Sequence, residues 1–231
     1  MTPTPILTIR LLDIALDRDI TTRKLLLLGA KDLAKEHKSK FKKMDISPKI
    51  FHNTKIQYSG IQLGIYQGSP EWTAIGRSAV KALKLWYSLF RKENEIALQN
   101  TQWIKEKYTP EFFSYQKKYK IKTLLISSDL AELLEVKGDK YTVYDRLEKY
   151  LYGNIQRFFR HIDYEHNKDV HFLKITIQDA HVLTHSKYVF RNKKKIGYEV
   201  TFLCNLRLPQ MIRMGQSTAL GYGKVFHIQR S

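Results

Sequence analysis

Two tandem ferredoxin-like domains, each a βαββαβ unit of the RRM-like kind with an antiparallel sheet, are the α+β fold this sequence predicts. Three observations predict it. Segments with strand and helix periodicity follow one order, strand, helix, two strands, helix and closing strand, and the second half repeats it with a glycine-rich stretch in the place of the second helix. A chain of 231 residues suits either one large domain or two small ones. Hydrophobic residues at 43% and charged residues at 27% make a globular balance, without the composition of a disordered chain.

In the first half, Ile6 to Ile14 (ILTIRLLDI) reads as a strand, and Thr21 to Glu36 as a helix capped by Asp19 or a threonine hydroxyl. The runs KIFHNTKIQYS and IQLGIYQG read as two strands turning near Ser59-Gly60. A second helix is expected from about Pro70, since proline is tolerated in a first turn, through Arg91. Ile75, Ala79, Leu83, Trp86 and Phe90 form its inward stripe, and Arg77, Lys81, Lys84 and Arg91 line another face, either solvated or touching phosphate. A closing strand falls near EIALQNTQWIKEKY. No low-complexity linker follows, and a boundary near Thr109-Pro110 gives domains of residues 1–110 and 111–231.

The second half opens with the strand YKIKTLLIS, a turn at VKGDK and the helix VYDRLEKYLYGNIQRFFRHI. Leu147, Leu151, Ile155, Phe158 and Ile162 make its apolar stripe, and Arg146, Lys149, Arg157 and Arg160 a basic one. Two strands follow, HFLKITIQDAHVL with its continuation SKYVF, then GYEVTFLCNLRL. In the latter Tyr198, Val200, Phe202, Cys204, Leu206 and Leu208 alternate with a more polar face. RNKKKIG joins them as a hairpin tip, which places Lys194 in solvent or against a polyanion. KVFHI is the last strand, preceded by a glycine-rich stretch.

Charge narrows the function. Lys+Arg number 40 against 22 Asp+Glu, a formal +18, so the surface carries a strong positive field and a polyanion is the expected partner. No run of about 18 apolar residues exists, which favours nucleic acid over membrane. The single cysteine, Cys204, excludes an intramolecular disulfide and a cysteine-based zinc site. The start, MTPTPILTIRLLD, shows no secretory pattern, and the expected location is cytoplasmic. Asp and Glu are scattered, with no cluster suited to a two-metal nuclease, so neither metal nor cofactor is expected.

The stretch RMGQSTALGYGKVF invites a phosphate reading. It lacks the Ser or Thr after Lys224 that a Walker loop needs, and it ends an antiparallel pattern rather than opening a parallel one, so ATP and NAD are poor guesses. Two readings remain. One is a backbone cradle for a nucleic acid, with Gly215, Gly221 and Gly223 baring amides, Gln216, Ser217 and Thr218 hydrogen-bonding, Arg213 and Lys224 supplying charge, and Tyr222 touching RNA or bracing the loop. The other is a tight turn that uses glycine for its backbone angles alone. Arg157 and Lys194 extend the first reading to the helix and the hairpin.

The run NLRLPQMIRMGQSTALGYGKVF resembles the C-terminal glycine-rich signature of the CRISPR-associated repeat-processing endoribonucleases. LYGNIQRFF is similar to the helix preceding it in a type I branch of that family, and LLGAKDL followed by KIQYSGIQLGIYQGSPEW resembles the branch's N-terminal half, so the resemblance spans nearly the whole chain. It implies two ferredoxin-like domains, RNA held partly by the glycine-rich loop, and metal-independent cleavage of CRISPR repeat RNA in the precursor transcript. Repeat RNA is the partner it implies; other CRISPR effector-complex proteins and a second copy of the chain are the further ones it admits, with no membrane. It also implies a catalytic histidine soon after the first helix, often doubled. The matching LAKEHKSKFKK holds His37, with Lys35 and Ser39 where a second histidine would stand.

RNA carries its own nucleophile, the 2′-hydroxyl, so an enzyme needs a base, an acid for the leaving 5′-oxygen and positive charge for the phosphorane. Histidine can serve as either near neutral pH. His37 is thus the first candidate, with Lys40 among the lysines steadying the phosphate, and His52 the second. His181 and His185, four apart on a strand, share a face but lack the partners of a metal site. The alternative is a repeat-RNA-binding protein of the same fold that is catalytically weak or inactive.

Overall fold

The computed structural model describes residues 2–14, 29–51, 60–93, 100–126, 130, 139–164, 169–183, 188–190, 193–216, 218 and 222–228. The chain divides into two units, one running to Thr109 and the other starting at Pro110.

The first unit contains β1 (Thr4–Leu11), helical residues 29–36 (α1), α2 (Lys38–Lys43), a 3₁₀ turn (Pro48–Phe51), β2 (Ile61–Tyr66), β3 (Ser69–Ile75), α3 (Arg77–Glu93) and β4 (Thr101–Tyr108). Its strands order β2-β3-β1-β4, all antiparallel, which is the ferredoxin-like arrangement with β1 inside and the closing strand at its flank. Period-two alternation sends Leu7, Ile9 and Leu11 to the face that also carries Trp72 and Ala74. There Trp86 of α3 meets Trp72 at 4.7 Å between ring centroids, and Phe90 stacks on Trp86 at 5.0 Å. The opposite face carries buried polar groups beside Ile6 and Ile75. Thr8 and Thr73 hydroxyls lie 3.1 Å apart, and Arg10 donates from Nε to Glu71 at 2.8 Å and from a terminal nitrogen to Gln102 at 2.9 Å, with its guanidinium 3.6 Å over Tyr66. Such a pair persists in a core only because its hydrogen bonds are satisfied.

Two expectations fail here. Pro70 to Ile75 form β3, not the start of a helix, and β2 turns into it at Gln67-Gly68, both at positive φ (50° and 84°), whereas the turn expected near Ser59-Gly60 falls partly outside the described residues. Every residue of β3 is buried, so the strand shows no alternation, and Ile75 falls in step with the helical stripe that follows. Pro70 is accommodated near the strand's start. Lys49 to Phe51 belong to the 3₁₀ turn rather than a strand, and residues 52–59, with 15–28, lie outside the described ones.

The second unit contains β5 (Phe112–Leu125), α4 (Lys140–His161), β6 (Ile175–Val182), β7 (Tyr188–Phe190), β8 (Lys193–Lys195), β9 (Gly197–Leu206) and β10 (Val225–His227). Its main sheet orders β10-β5-β9-β6, the same antiparallel arrangement as the first unit, so the protein is a tandem of ferredoxin-like domains. Asp139 caps α4, accepting from the Thr142 amide at 2.8 Å. Leu147, Leu151, Ile155, Phe158 and Phe159 face Tyr119, Ile121, Val200, Phe202 and Cys204, all buried. Burial pushes the Cys204 thiol up to about 12, so it stays protonated. The three lysines of RNKKKIG form β8, paired with β7 as a separate ribbon, instead of a bare hairpin tip. Among the described residues no helix is long and apolar enough to cross a membrane.

Candidate nucleic-acid interface

Between β9 and β10 the described chain contains no α-helix, and it supplies its own order. Met214 donates its amide to Gly223 at 2.9 Å and Val225 to Ile212 at 3.1 Å, while Arg213 and Lys224 form an isolated antiparallel bridge. This narrow loop is then fastened to β5: Gly223 donates to the Thr123 carbonyl at 2.8 Å and Gln216 to that of Leu125 at 2.9 Å. A third tie comes from α4, where Asn154 Oδ1 accepts the Gly215 amide at 2.9 Å while its Nδ2 donates to the Tyr150 carbonyl at 2.7 Å. Tyr150 in turn donates its hydroxyl to Leu125 at 3.1 Å; burial pushes it up to about 12, which keeps that proton in place.

The two described glycines of the loop are there for close approach. Gly223 has φ +76°, and a Cβ on it would sit 1.6 Å from the Met214 carbonyl oxygen. Gly215 has φ +95°, and its Cβ would come within 2.7 Å of Leu124 Cδ1 and 3.0 Å of the Leu125 carbonyl oxygen. Backbone bars a side chain at Gly223, and at Gly215, where Leu124 could give way, the left-handed φ and the Leu125 carbonyl make one strained.

This corrects the cradle reading. The amides of Gly215, Gln216 and Gly223 already have protein acceptors, so they do not bare themselves to a phosphate. Arg213 is corrected as well. At 1% exposed it is a buried charge within the loop's base rather than a surface contact. Tyr222, 8% exposed, is placed to brace the loop. Among the described residues, the loop offers outward the half-exposed side chains of Gln216, Thr218 and Lys224. Ser217 and Gly221 lie outside the described residues. Arg157 is half-buried on α4 and donates from Nε to the Gly153 carbonyl at 3.2 Å. Lys194 stands at the middle of β8, opposite Val189.

In the first unit, His37 sits where α1 gives way to α2. Its amide still accepts the helical register, donating to Leu33 at 3.1 Å, while its carbonyl starts the next turn by accepting from Lys40 at 2.9 Å. The break is held by Phe41, fully buried one turn later, which meets Phe51 edge-on at 6.1 Å; Phe51 meets Trp86 at 6.4 Å. A half-exposed imidazole is thereby fixed beside exposed Lys38, Lys40, Lys42 and Lys43. His37 and Lys40 share one short segment, whereas His52 lies outside the described residues. Exposed Arg77, Lys81, Lys84 and Arg91 mark a second basic strip along α3. Among the described residues no three of His, Cys, Asp and Glu converge as metal ligands, and His181 instead meets Asp179 at 2.7 Å.

Asn154 and Tyr150 were missed as site residues. A signal existed: asparagine stands inside the apolar stripe of LYGNIQRFF, and a polar residue at a core position must find a partner.

Residues 111–228 match the family model described as the Cas6b C-terminal domain. No curated protein matches the chain. Among solved structures it is similar to one titled as the crystal structure of Cas6b, at TM-score 0.70 and 21% identity over 97% of this chain and 99% of that one. A second, titled as the CRISPR RNA processing endoribonuclease Cas6b, aligns at 0.61 and 17% over 97% and 99%. Csf5, described as a type IV Cas6 crRNA endonuclease, aligns at 0.55 and 12% over 98% and 100%. These likenesses establish the fold.

Proposed function

The chain belongs to the Cas6b family, and from that premise we propose that it is an endoribonuclease that binds the repeat of precursor CRISPR RNA and cuts it to release mature guide RNAs. The match over residues 111–228, which takes in the fastened loop and its Asn154 tie, carries the reading. The net charge of +18 supplies the attraction for the strand.

The reaction needs no metal. The 2′-hydroxyl oxygen attacks the adjacent phosphorus, its proton passing to a base; the bond from phosphorus to the 5′-oxygen breaks, and that oxygen takes a proton from an acid. The products are a 2′,3′-cyclic phosphate, or its hydrolysed form, and a 5′-hydroxyl. His37 is the imidazole assigned to this proton traffic, and Lys40 the ammonium assigned to the phosphorane. Gln216, Thr218, Lys224, Arg157 and Lys194 are assigned to holding the RNA.

Incubating repeat RNA with the protein in EDTA tests this. Cleavage is expected, and replacing the 2′-hydroxyl upstream of the cut by hydrogen abolishes it. Intact RNA bound in preference to a scrambled strand would instead favour the binding-only protein, for which the absent second histidine, Ser39 or Lys35 in its place, is the motivation.

A further inference from the structure

β10 alternates across its sheet: Val225 is 3% exposed and faces the core, whereas Phe226 stands on the opposite face, 38% exposed. Its neighbours there are not apolar. Lys122 Nζ lies over the ring at 5.3 Å and Lys224 Nζ at 5.8 Å from its centroid, as cation–π contacts, and Lys120, the register partner of Phe226, is paired with Glu199 at 2.7 Å. The strand that carries the ring is held by its backbone. The Gly223 and Val225 amides fasten the strand on one side, and Ile228 donates to the Lys118 carbonyl at 2.9 Å on the other.

We infer that Phe226, flanked by Lys122 and Lys224, is a stacking site for one unpaired base of a bound RNA strand. This rests on the RNA-processing reading above. A half-open ring takes a base on its face in exchange for an ammonium group resting over it, and the displaced ammonium groups on their flexible stems meet the phosphates before and after the base. Phenylalanine has no hydrogen-bonding edge, so the site tolerates any base and acts as a register pin rather than a reader of sequence. An apolar protein partner fits poorly, because covering the ring would strip water from the neighbouring lysines.

The test uses the full chain and single-stranded repeat RNA with 2′-O-methyl sugars, so that it binds uncut, carrying 2-aminopurine at each position in turn. With the wild type, fluorescence is expected to fall at one position. Phe226→Leu abolishes that quench and weakens binding about tenfold or more, while Phe226→Trp restores both. Lys122→Ala lowers the slope of log affinity against log salt by about one contact. Unchanged affinity and an unchanged fluorescence profile in Phe226→Leu overturn the stacking site and leave the processing function standing. A wild type that does not prefer repeat RNA to a scrambled strand removes the processing function and this inference with it.

Discussion

The two units share one strand order and differ in what joins the third strand to the fourth. In the first unit it is α3, a 17-residue helix that satisfies its own backbone and needs only an apolar stripe to dock. In the second the described residues form irregular chain, in which the amides of Met214, Gly215, Gln216 and Gly223 find acceptors on β5, on α4 and across the loop itself. A helix is indifferent to the fine shape of its neighbours. Irregular backbone laid against a strand is not, because each buried amide must meet one particular carbonyl at one particular distance. The first unit is therefore expected to tolerate change in its connection, and the second to tolerate little.

Gly223→Ala is the sharpest way to break that contrast. The added methyl meets backbone, not a side chain that can swing away, in a left-handed conformation as well. A loss above about 4 kcal/mol, read by urea denaturation of the second unit, is expected. A shift below about 1 kcal/mol would show that the loop can leave β5 without penalty.

Activity should divide along the same line. His37→Ala is expected to lower the rate of cleavage by roughly 10²- to 10⁴-fold with RNA affinity intact, because it removes a proton carrier. Lys224→Ala should leave the rate on saturating RNA alone, weaken affinity, and lower the salt slope by about one contact. Single-turnover kinetics separate the two. Equal losses in both parameters for both variants would dissolve the distinction between a chemical segment and a gripping loop.

Asn154→Ala tests the tie between helix and loop. It leaves the Gly215 amide without its acceptor, a cost of about 1–3 kcal/mol, and hydrogen exchange should quicken at Gly215 before it does at Gly223. Next door, Gly153 has open space where a Cβ would stand. Gly153→Ala is expected to stabilise α4 by up to about 1 kcal/mol, with the loop's exchange unchanged.

The same contrast governs what the sequence disclosed. β9 was legible because Tyr198, Val200, Phe202, Cys204 and Leu206 alternate on a half-buried strand. α4 was legible because its stripe is long and apolar, although it begins three residues earlier, at Lys140. β3 was not, since burial of both faces removes the alternation and its polar members, Glu71 and Thr73, are satisfied by partners far along the chain. The first residues of β5 were missed for another reason: a register shift between Phe112 and Lys117 scrambles the pattern. At the candidate site, residue types were readable and roles were not. Nothing local tells that Arg213 is buried, or that the Gly215 amide is claimed by a side chain 61 positions away. His37 was legible as a candidate through its lysine-rich setting and the family resemblance, but not as the residue at a helix break anchored by Phe41.

The smallest effects come from two exposed carboxylates, one in each unit. Asp139 is held below the usual carboxylate value by hydrogen bonds from the Thr142 hydroxyl, at 2.6 Å, and amide. Asp32 is held below it by a hydrogen bond from Lys35 at 2.7 Å and by that lysine's charge. Since both folded values are depressed, each contribution is present in full above the unfolded value and fades as pH falls through the folded one. Asp139→Ala and Asp32→Ala should therefore destabilise at pH 7 and cease to matter below the carboxylate range. Salt tells them apart. The ion pair on α1 is screened, whereas the cap on α4 is chiefly a pair of hydrogen bonds from uncharged donors. Thermal melts at low and high ionic strength should find the Asp139→Ala deficit unmoved and the Asp32→Ala deficit shrunken; a cap that weakens with salt as the pair does would mean that the surrounding lysine field, rather than Thr142, holds that carboxylate ionised.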